Sequence, residues 1–220
     1  MIQMKKKSLW ELIRTFVKEN PHAWWALYLP VYGIMYLTVE HVVDGSRPYW
    51  VSWCPLDDRI PFVEYFVVAY CSWHVIMIVV GLYLLFKDGR AFRHYMQFIA
   101  VSFTLSTLIC FLIPNGQDLR PATFEHHNIF TMALRFIYSA DTNTNVFPSV
   151  HVMGCVAIWF AALDSERLKK VRVPLMLWSA VIICSTVLVK QHSVLDVVGA
   201  LIFCVPIWIV LWNKRKKELA

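Results

Sequence analysis

Charge is scarce in this chain. Asp, Glu, Lys and Arg make up 16% of its 220 residues, against about 25% in an ordinary soluble domain. Apolar residues reach 58% and aromatics 15%, so a soluble globular protein is excluded and an integral membrane protein is expected. No internal repeat and no low-complexity tract divides the sequence, and a single domain over residues 1–220 follows. Six cysteines are present, but Cys71, Cys110, Cys155, Cys184 and Cys204 fall inside apolar runs and only Cys54 sits in a polar connection. That distribution argues against a disulfide framework. Residues 1–23 also lack the short apolar core followed by small residues that marks a signal peptide.

What the chain does have is long apolar runs. A bilayer core about 30 Å thick requires roughly 17 to 25 mostly apolar residues per helix, and six segments qualify: 24–42, 62–86, 95–113, 146–163, 173–189 and 193–213. The expectation is an all-α, six-helix membrane bundle over 24–213, followed by a basic tail at 214–220. Six spans place both ends on one side. If that side is the cytoplasm, every basic residue faces it except Arg47, Arg59, Arg120, Arg135 and Lys190; the inner set includes Lys5, Lys6 and Lys7. The positive-inside rule supports this orientation in a cell membrane, with both termini cytoplasmic. Basic loops beside anionic head groups account for the net charge of +6 without any nucleic acid. Ahead of the first run, SLWELIRTFVKEN spaces Leu9, Trp10, Ile13, Phe16 and Val17 at helical intervals, as in an amphipathic helix lying along the inner interface. Trp24, Trp25, Trp50 and Trp53 read as aromatic belts.

Two outer connections are long, 43–61 and 114–145. In the second, Pro114, Asn115, Gly116 and Arg120-Pro121 mark turns, and TMALRFIYS has the pattern of a short helix. Its His126 and His127 are adjacent and read as loop residues before metal ligands. Glu64, His74 and His41 lie within spans and are expected to satisfy one another or to line the interior.

The sharpest local anomaly is VLVKQHSVLD at 187–196, which sets Lys190, Gln191, His192 and Asp196 between hydrophobic runs. Polar groups near hydrocarbon are costly and tend to carry function. His192 and Asp196 stand four apart, a spacing that stacks two side chains on one helix face and lets a carboxylate fix an imidazole tautomer. Alone, such a pair is more often structural or part of a metal site.

Together, LRP at 119–121, FPSVH at 147–151 and STVLVKQHSVLD at 185–196 resemble, in order and spacing, the three signature blocks of the type 2 phosphatidic acid phosphatase superfamily. Its members are six-span membrane lipid phosphatases, relatives of vanadium haloperoxidases, and include sphingolipid head-group transferases. Two cations of the family pattern are missing: the Lys before the first block's Arg-Pro is Pro114 here, and the Arg of the third block is Thr186. Lys190 is a candidate replacement.

The resemblance implies His192 as nucleophile, attacking phosphorus to give a phosphohistidine, with Asp196 holding its ring and His151 protonating the leaving alkoxide. Arg120 would bind the phosphate as a bidentate fork, helped by Ser149, the amides of Ser149 and Val150 at a helix start, and Lys190. Pro148 fits a first helical turn, and Asp141 and Asn145 are candidate supporting residues. Small residues Gly154, Ala157, Gly199 and Ala200 would allow close helix packing. The expected activity needs no metal and no cofactor. It is hydrolysis of a lipid phosphate monoester or diphosphate, of the phosphatidate or polyprenyl type, at the extracytoplasmic face. A sphingolipid- or inositol-type head-group transferase is the alternative. A non-catalytic membrane protein is the rival from another class, either a degenerate relative or a haem carrier using His41, His74, His151 and His192.

Overall fold

The computed structural model describes residues 8–43, 46 and 48–220. Lys5, Lys6, Lys7 and Arg47, on which part of the charge asymmetry rests, lie outside them, as do the side chains of Leu9 and Ile13. Helix α1 (Leu9–Glu19) opens on a capping box in which Ser8 and Glu11 exchange side-chain to backbone bonds. A 3₁₀ segment, Pro21–Leu27, leads into α2 (Tyr28–Val42), and Glu64–Phe66 forms a second one ahead of α3 (Val67–Lys87). Next come α4 (Gly89–Leu112), α5 (Ile129–Ala140), α6 (Val150–Asp164), α7 (Arg172–Leu188) and α8 (Val194–Leu219). The expected short helix at TMALRFIYS is therefore part of α5, capped by Asn128, whose side chain accepts from the N–H groups of Phe130 and Thr131.

Among the described residues, four helical segments are long and apolar enough to cross a membrane: Glu64–Lys87, Gly89–Leu112, Glu166–Leu188 and Val194–Leu219. The third expected span starts earlier than 95, because Asp88 accepts from Ala91 N–H and caps the helix at Gly89. The fourth, expected over 146–163, starts only at Val150. Eleven of the 15 residues of α6 are buried, and the helix packs against α4, α7 and α8. Its apolar composition is that of a core helix surrounded by protein; at 1.5 Å per residue it is only ~22 Å long. The first run is likewise divided, by the 3₁₀ turn before the 15-residue α2.

A small clamp shapes the end of the bundle where α6 and α8 begin. Strands β1 (Trp50–Val51) and β2 (Asn115–Gly116) pair in parallel, and Gly116 also bridges Thr144. Gly116 is required there: a Cβ would stand 2.7 Å from the Tyr49 ring and 2.8 Å from the Asn143 carbonyl. Buried Asn115 accepts at Oδ1 from the N–H groups of Val146 and Phe147, at 3.0 and 2.8 Å, and so fixes the FPSVH segment. Gly199 makes room for the Phe147 ring of that segment and Gly154 for the Trp73 indole, so these two glycines admit aromatic side chains rather than neighbouring helices. Trp24, Trp50 and Trp53 are exposed, whereas Trp25 packs against the core.

The other end of α6 and α8 holds an ionic cluster. Asp164, fully buried, is bound by Arg90 at 2.6 Å, Arg215 at 2.8 Å and His94 at 3.0 Å. It ties α4, α6 and α8 together at the end bearing Arg93, Lys214 and Glu218.

Candidate active site

The short turn between α7 and α8 carries His192, and the way its pairing with Asp196 is built differs from a shared helix face. Helix α8 begins only at Val194 with Ser193 as its N-cap, so His192 precedes the helix and Asp196 is its third residue. The Asp196 carboxylate completes a capping box by accepting Ser193 N–H at Oδ2, 2.9 Å away. The same oxygen lies 3.2 Å from His192 Nδ1. The pairing thus comes from a cap reaching back over the turn. Lys190, at φ 54°, lets the chain reverse sharply enough for the N–H groups of Gln191 and His192 both to reach Thr186 O.

His151, in the first turn of α6, meets His192 directly. Its Nδ1 is 3.4 Å from His192 Nε2, with ring centroids 5.5 Å apart and planes at 63°. A carboxylate only accepts, so Nδ1 of His192 carries hydrogen toward Asp196 and Nε2 offers a lone pair toward His151. The His151 ring is wedged between Tyr70 and Trp73, each 4.6 Å away centroid to centroid. Trp73 Nε1 donates to the His151 carbonyl at 3.0 Å. A cleft of about 450 Å³ opens beside this imidazole, with Tyr70, Trp73, His74, Val150 and Asp141 among its walls.

Of the residues expected at the site, the fold brings His192, His151 and Asp196 into one hydrogen-bonded chain. Ser149 caps α6 through a 3.4 Å bond from Val152 N–H, and its own N–H donates to Asp196 O at 3.3 Å. That amide is therefore occupied, and Val150 is the first helical residue, whose N–H has no acceptor within the helix. Pro148 precedes the cap in a cis peptide with Phe147 and is not in the first turn, because the Ser149 hydroxyl is the better cap.

Arg120 comes close through Gln191. Its two terminal nitrogens donate to the carbonyls of Tyr138, Asp141 and Thr142 and to Gln191 Oε1, the last at 2.6 Å. Its guanidinium also lies over the Tyr138 ring, and burial pulls its pKa below the ordinary value. The fork is spent on the protein, and only Nε remains, buried and without a partner among the described residues.

Lys190 turns toward the 43–61 connection, donating to Asp57 O at 2.8 Å and Ile60 O at 2.7 Å. Asp141 accepts from Tyr36 at 3.0 Å. Asn145 donates to Glu40 at 2.7 Å. Glu64 takes His126, at 3.0 Å, and not the span histidines, while His74 stands edge-on to His151.

Three residues in contact with this chain of side chains or its turn were not marked by sequence. Ser52 donates to Asp196 Oδ1 at 2.5 Å, so the carboxylate behind the imidazole accepts from three groups. Asp57 accepts from Ser193 Oγ at 2.6 Å and from Val194 N–H at 2.8 Å, bracing the turn that holds His192. Tyr70 stacks on the second imidazole. Ser52 and Asp57 act across more than a hundred residues, and no local period signals such contacts. The Ser-x-x-Asp pattern at 193–196, by contrast, was a readable cap signature.

In a comparison with known families, a family model described as the PAP2 superfamily matches residues 37–210. No curated protein and no solved structure matches the chain.

Proposed function

The chain belongs to the PAP2 superfamily, and from that premise we propose that it is a membrane enzyme transferring a lipid-linked phosphoryl group through a phosphohistidine on His192. The observation that carries this reading is the Asp196–His192–His151 chain, with contacts of 3.2 and 3.4 Å. Asp196 orients the His192 ring and stabilises the positive charge that grows as Nε2 attacks phosphorus. Substrate entry replaces the imidazole–imidazole contact: the phosphate comes to Nε2, and the hydrogen on His151 turns to the oxygen of the departing lipid alcohol. In the second half, His151 takes the proton from the incoming hydroxyl, which attacks phosphorus and frees His192. Water as acceptor gives a phosphatase; an alcohol gives a transferase.

In this reading α2 with its preceding 3₁₀ segment and the central α6 complete six crossings. The site faces the extracytoplasmic side, and the ionic cluster around Asp164 marks the cytoplasmic end. The basic residues 167–172 and 214–217 support that orientation, and α1 would lie along the inner interface. The 26 residues of α8 span ~39 Å at 1.5 Å each, enough to separate the two ends by a bilayer core. The lipid tail would leave the bilayer through the cleft beside His151.

The test is release of lipid alcohol by the purified full-length chain in vesicles. His192→Ala is expected to abolish it, and His151→Gln to slow it by about 10² to 10⁴. An acid-labile phosphoryl adduct should form on the parent and not on His192→Ala. Turnover that persists in His192→Ala would remove the proposed mechanism.

A further inference from the structure

Helix α5 carries a stripe of large apolar side chains that nothing among the described residues covers: Ile129 is 73% exposed, Met132 68% and Phe136 73%. Spacings of three and four put them on one face of the helix. A second face is buried, with Leu134 fully so and packed against Val67, Tyr70 and Val189. Arg135, exposed, stands at one edge of the stripe.

The place of α5 in the bundle fixes what this stripe meets. At its N-terminal end His126 and Asn128 bond Glu64, at 3.0 and 3.3 Å, just ahead of α3. At the other end Tyr138 donates to Val189 O at 2.6 Å, in the turn after α7, and Asp141 accepts from Tyr36 of α2 at 3.0 Å. The helix thus crosses three others at the end of the bundle that carries the site. With 12 residues it is ~18 Å long, too short to be a span itself. Its C-terminal half lies below the helix ends around it. Tyr36 is six residues from the end of α2, and Phe136, Ile137 and Ala140 wall the cleft together with Tyr70, Cys71 and His74, which stand three to seven residues into α3. At 1.5 Å per residue those offsets are ~5–10 Å, the depth to which an amphipathic helix sinks its apolar face between head groups and acyl chains.

Lipid is also what the adjoining surface faces. Along α3, part of a candidate span, Val68, Val75, Ile78, Val79 and Leu82 are all at least half exposed, the apolar wall that a bilayer covers. Tyr65, 56% exposed, continues that wall to the start of the span, and its ring meets Phe130 of α5 edge-on at 5.1 Å. The stripe on α5 therefore prolongs a surface turned toward hydrocarbon. Arg135, its guanidinium 5.3 Å from the Phe124 ring centre, supplies the cation that such a helix presents to lipid phosphates. We infer that α5 is an interfacial helix bound to the leaflet at the site's end of the bundle, with Ile129, Met132 and Phe136 among the upper acyl chains and Arg135 among the phosphates. The mouth of the cleft beside His151, of which Phe136 is a wall, then opens into that leaflet and not into water. The placement depends on the bundle standing in a membrane and on no chemistry at His192.

The experiment places a dansyl-bearing amino acid in turn at positions 129, 132, 135, 136 and 139 of the full-length chain in phosphatidylcholine vesicles. Quenching by nitroxides at set depths on the lipid chains is compared with quenching by iodide on both sides of the membrane, and circular dichroism checks that each labelled chain is folded. These positions are exposed, so the probes leave the buried face of α5 in place. Probes at 129 and 136 should be quenched by lipid and lie ~5–10 Å below the phosphates. The probe at 135, about 100° around the helix from 136, should be quenched by iodide. Iodide reaching 129 and 136 as readily as 135 would put the stripe in water and overturn the inference. Quenching by neither agent at 129 and 136 would put another protein chain on the stripe, a second copy included, and would overturn it too. Equal lipid quenching at all five positions would do the same, since the helix would then lie wholly in hydrocarbon.

Discussion

The hydroxyl of Ser52 offers a direct measure of how the outer connection supports the site. Its Oγ stands 2.5 Å from Asp196 Oδ1, and both side chains are fully buried. Ser52→Ala removes one of three donors to a buried carboxylate, leaving Ser193 N–H and His192 Nδ1–H on the other oxygen. A hydrogen bond to a charged group contributes about 1.5–3 kcal/mol, and water has little access to replace it. The expected loss of stability is therefore ~2 kcal/mol, roughly a thirtyfold change in the folded-to-unfolded ratio. Ser52→Thr keeps the hydroxyl and should lose much less. Because Asp196 would then be less firmly held, the imidazole orientation should loosen as well, and kcat should fall about ten- to a hundredfold with KM little changed. Unfolding of the detergent-solubilised protein in denaturant, read beside initial rates on the same preparations, gives both quantities. If Ser52→Ala were as stable as the parent and fully active, the short contact would have no energetic weight. The support assigned to residues 50–52 would then be wrong.

Lys190→Met should lower stability by about 1.5–3 kcal/mol, because its ammonium bridges two loop carbonyls, yet leave the KM for lipid nearly unchanged. A large rise in KM would return Lys190 to the phosphate. At the other end of the bundle, Asp164→Asn leaves Arg90 and Arg215 facing a neutral group in a buried site, which should cost about 3–5 kcal/mol. Turnover per folded molecule should be unaffected; a selective loss of turnover would mean that the two ends of α6 are coupled.

How much of this was legible depends on the range over which each signal acts. The motif residues His151, His192 and Asp196 could be read because chemistry restricts residue type and spacing together, and they lie in turn within 3.4 Å of one another along one chain of contacts, although His192 precedes α8 and does not share its face with Asp196. Long apolar runs announced α3, α4, α7 and α8 for the same reason. Run 146–163 misled on the length of α6, since an apolar surface is equally satisfied by lipid and by surrounding helices. Burial on nearly every side of α6 is a property of its neighbours, not of its own composition. Arg120 was identified, but its use was not. A sequence cannot reveal that three carbonyls and a carboxamide occupy its terminal nitrogens, because those acceptors come from α5, the segment after it and the α7–α8 turn.

The same distinction explains where the charge of Lys190 goes. Lys190 donates to the carbonyls of Asp57 and Ile60, and burial pulls its pKa down while Asp57 opposes the shift. Asp57, in turn, holds Ser193 and Val194. The cation therefore fixes the loop that fixes the turn that presents His192, a route through backbone rather than through substrate. A charge used this way secures the position of His192 through the protein's own backbone.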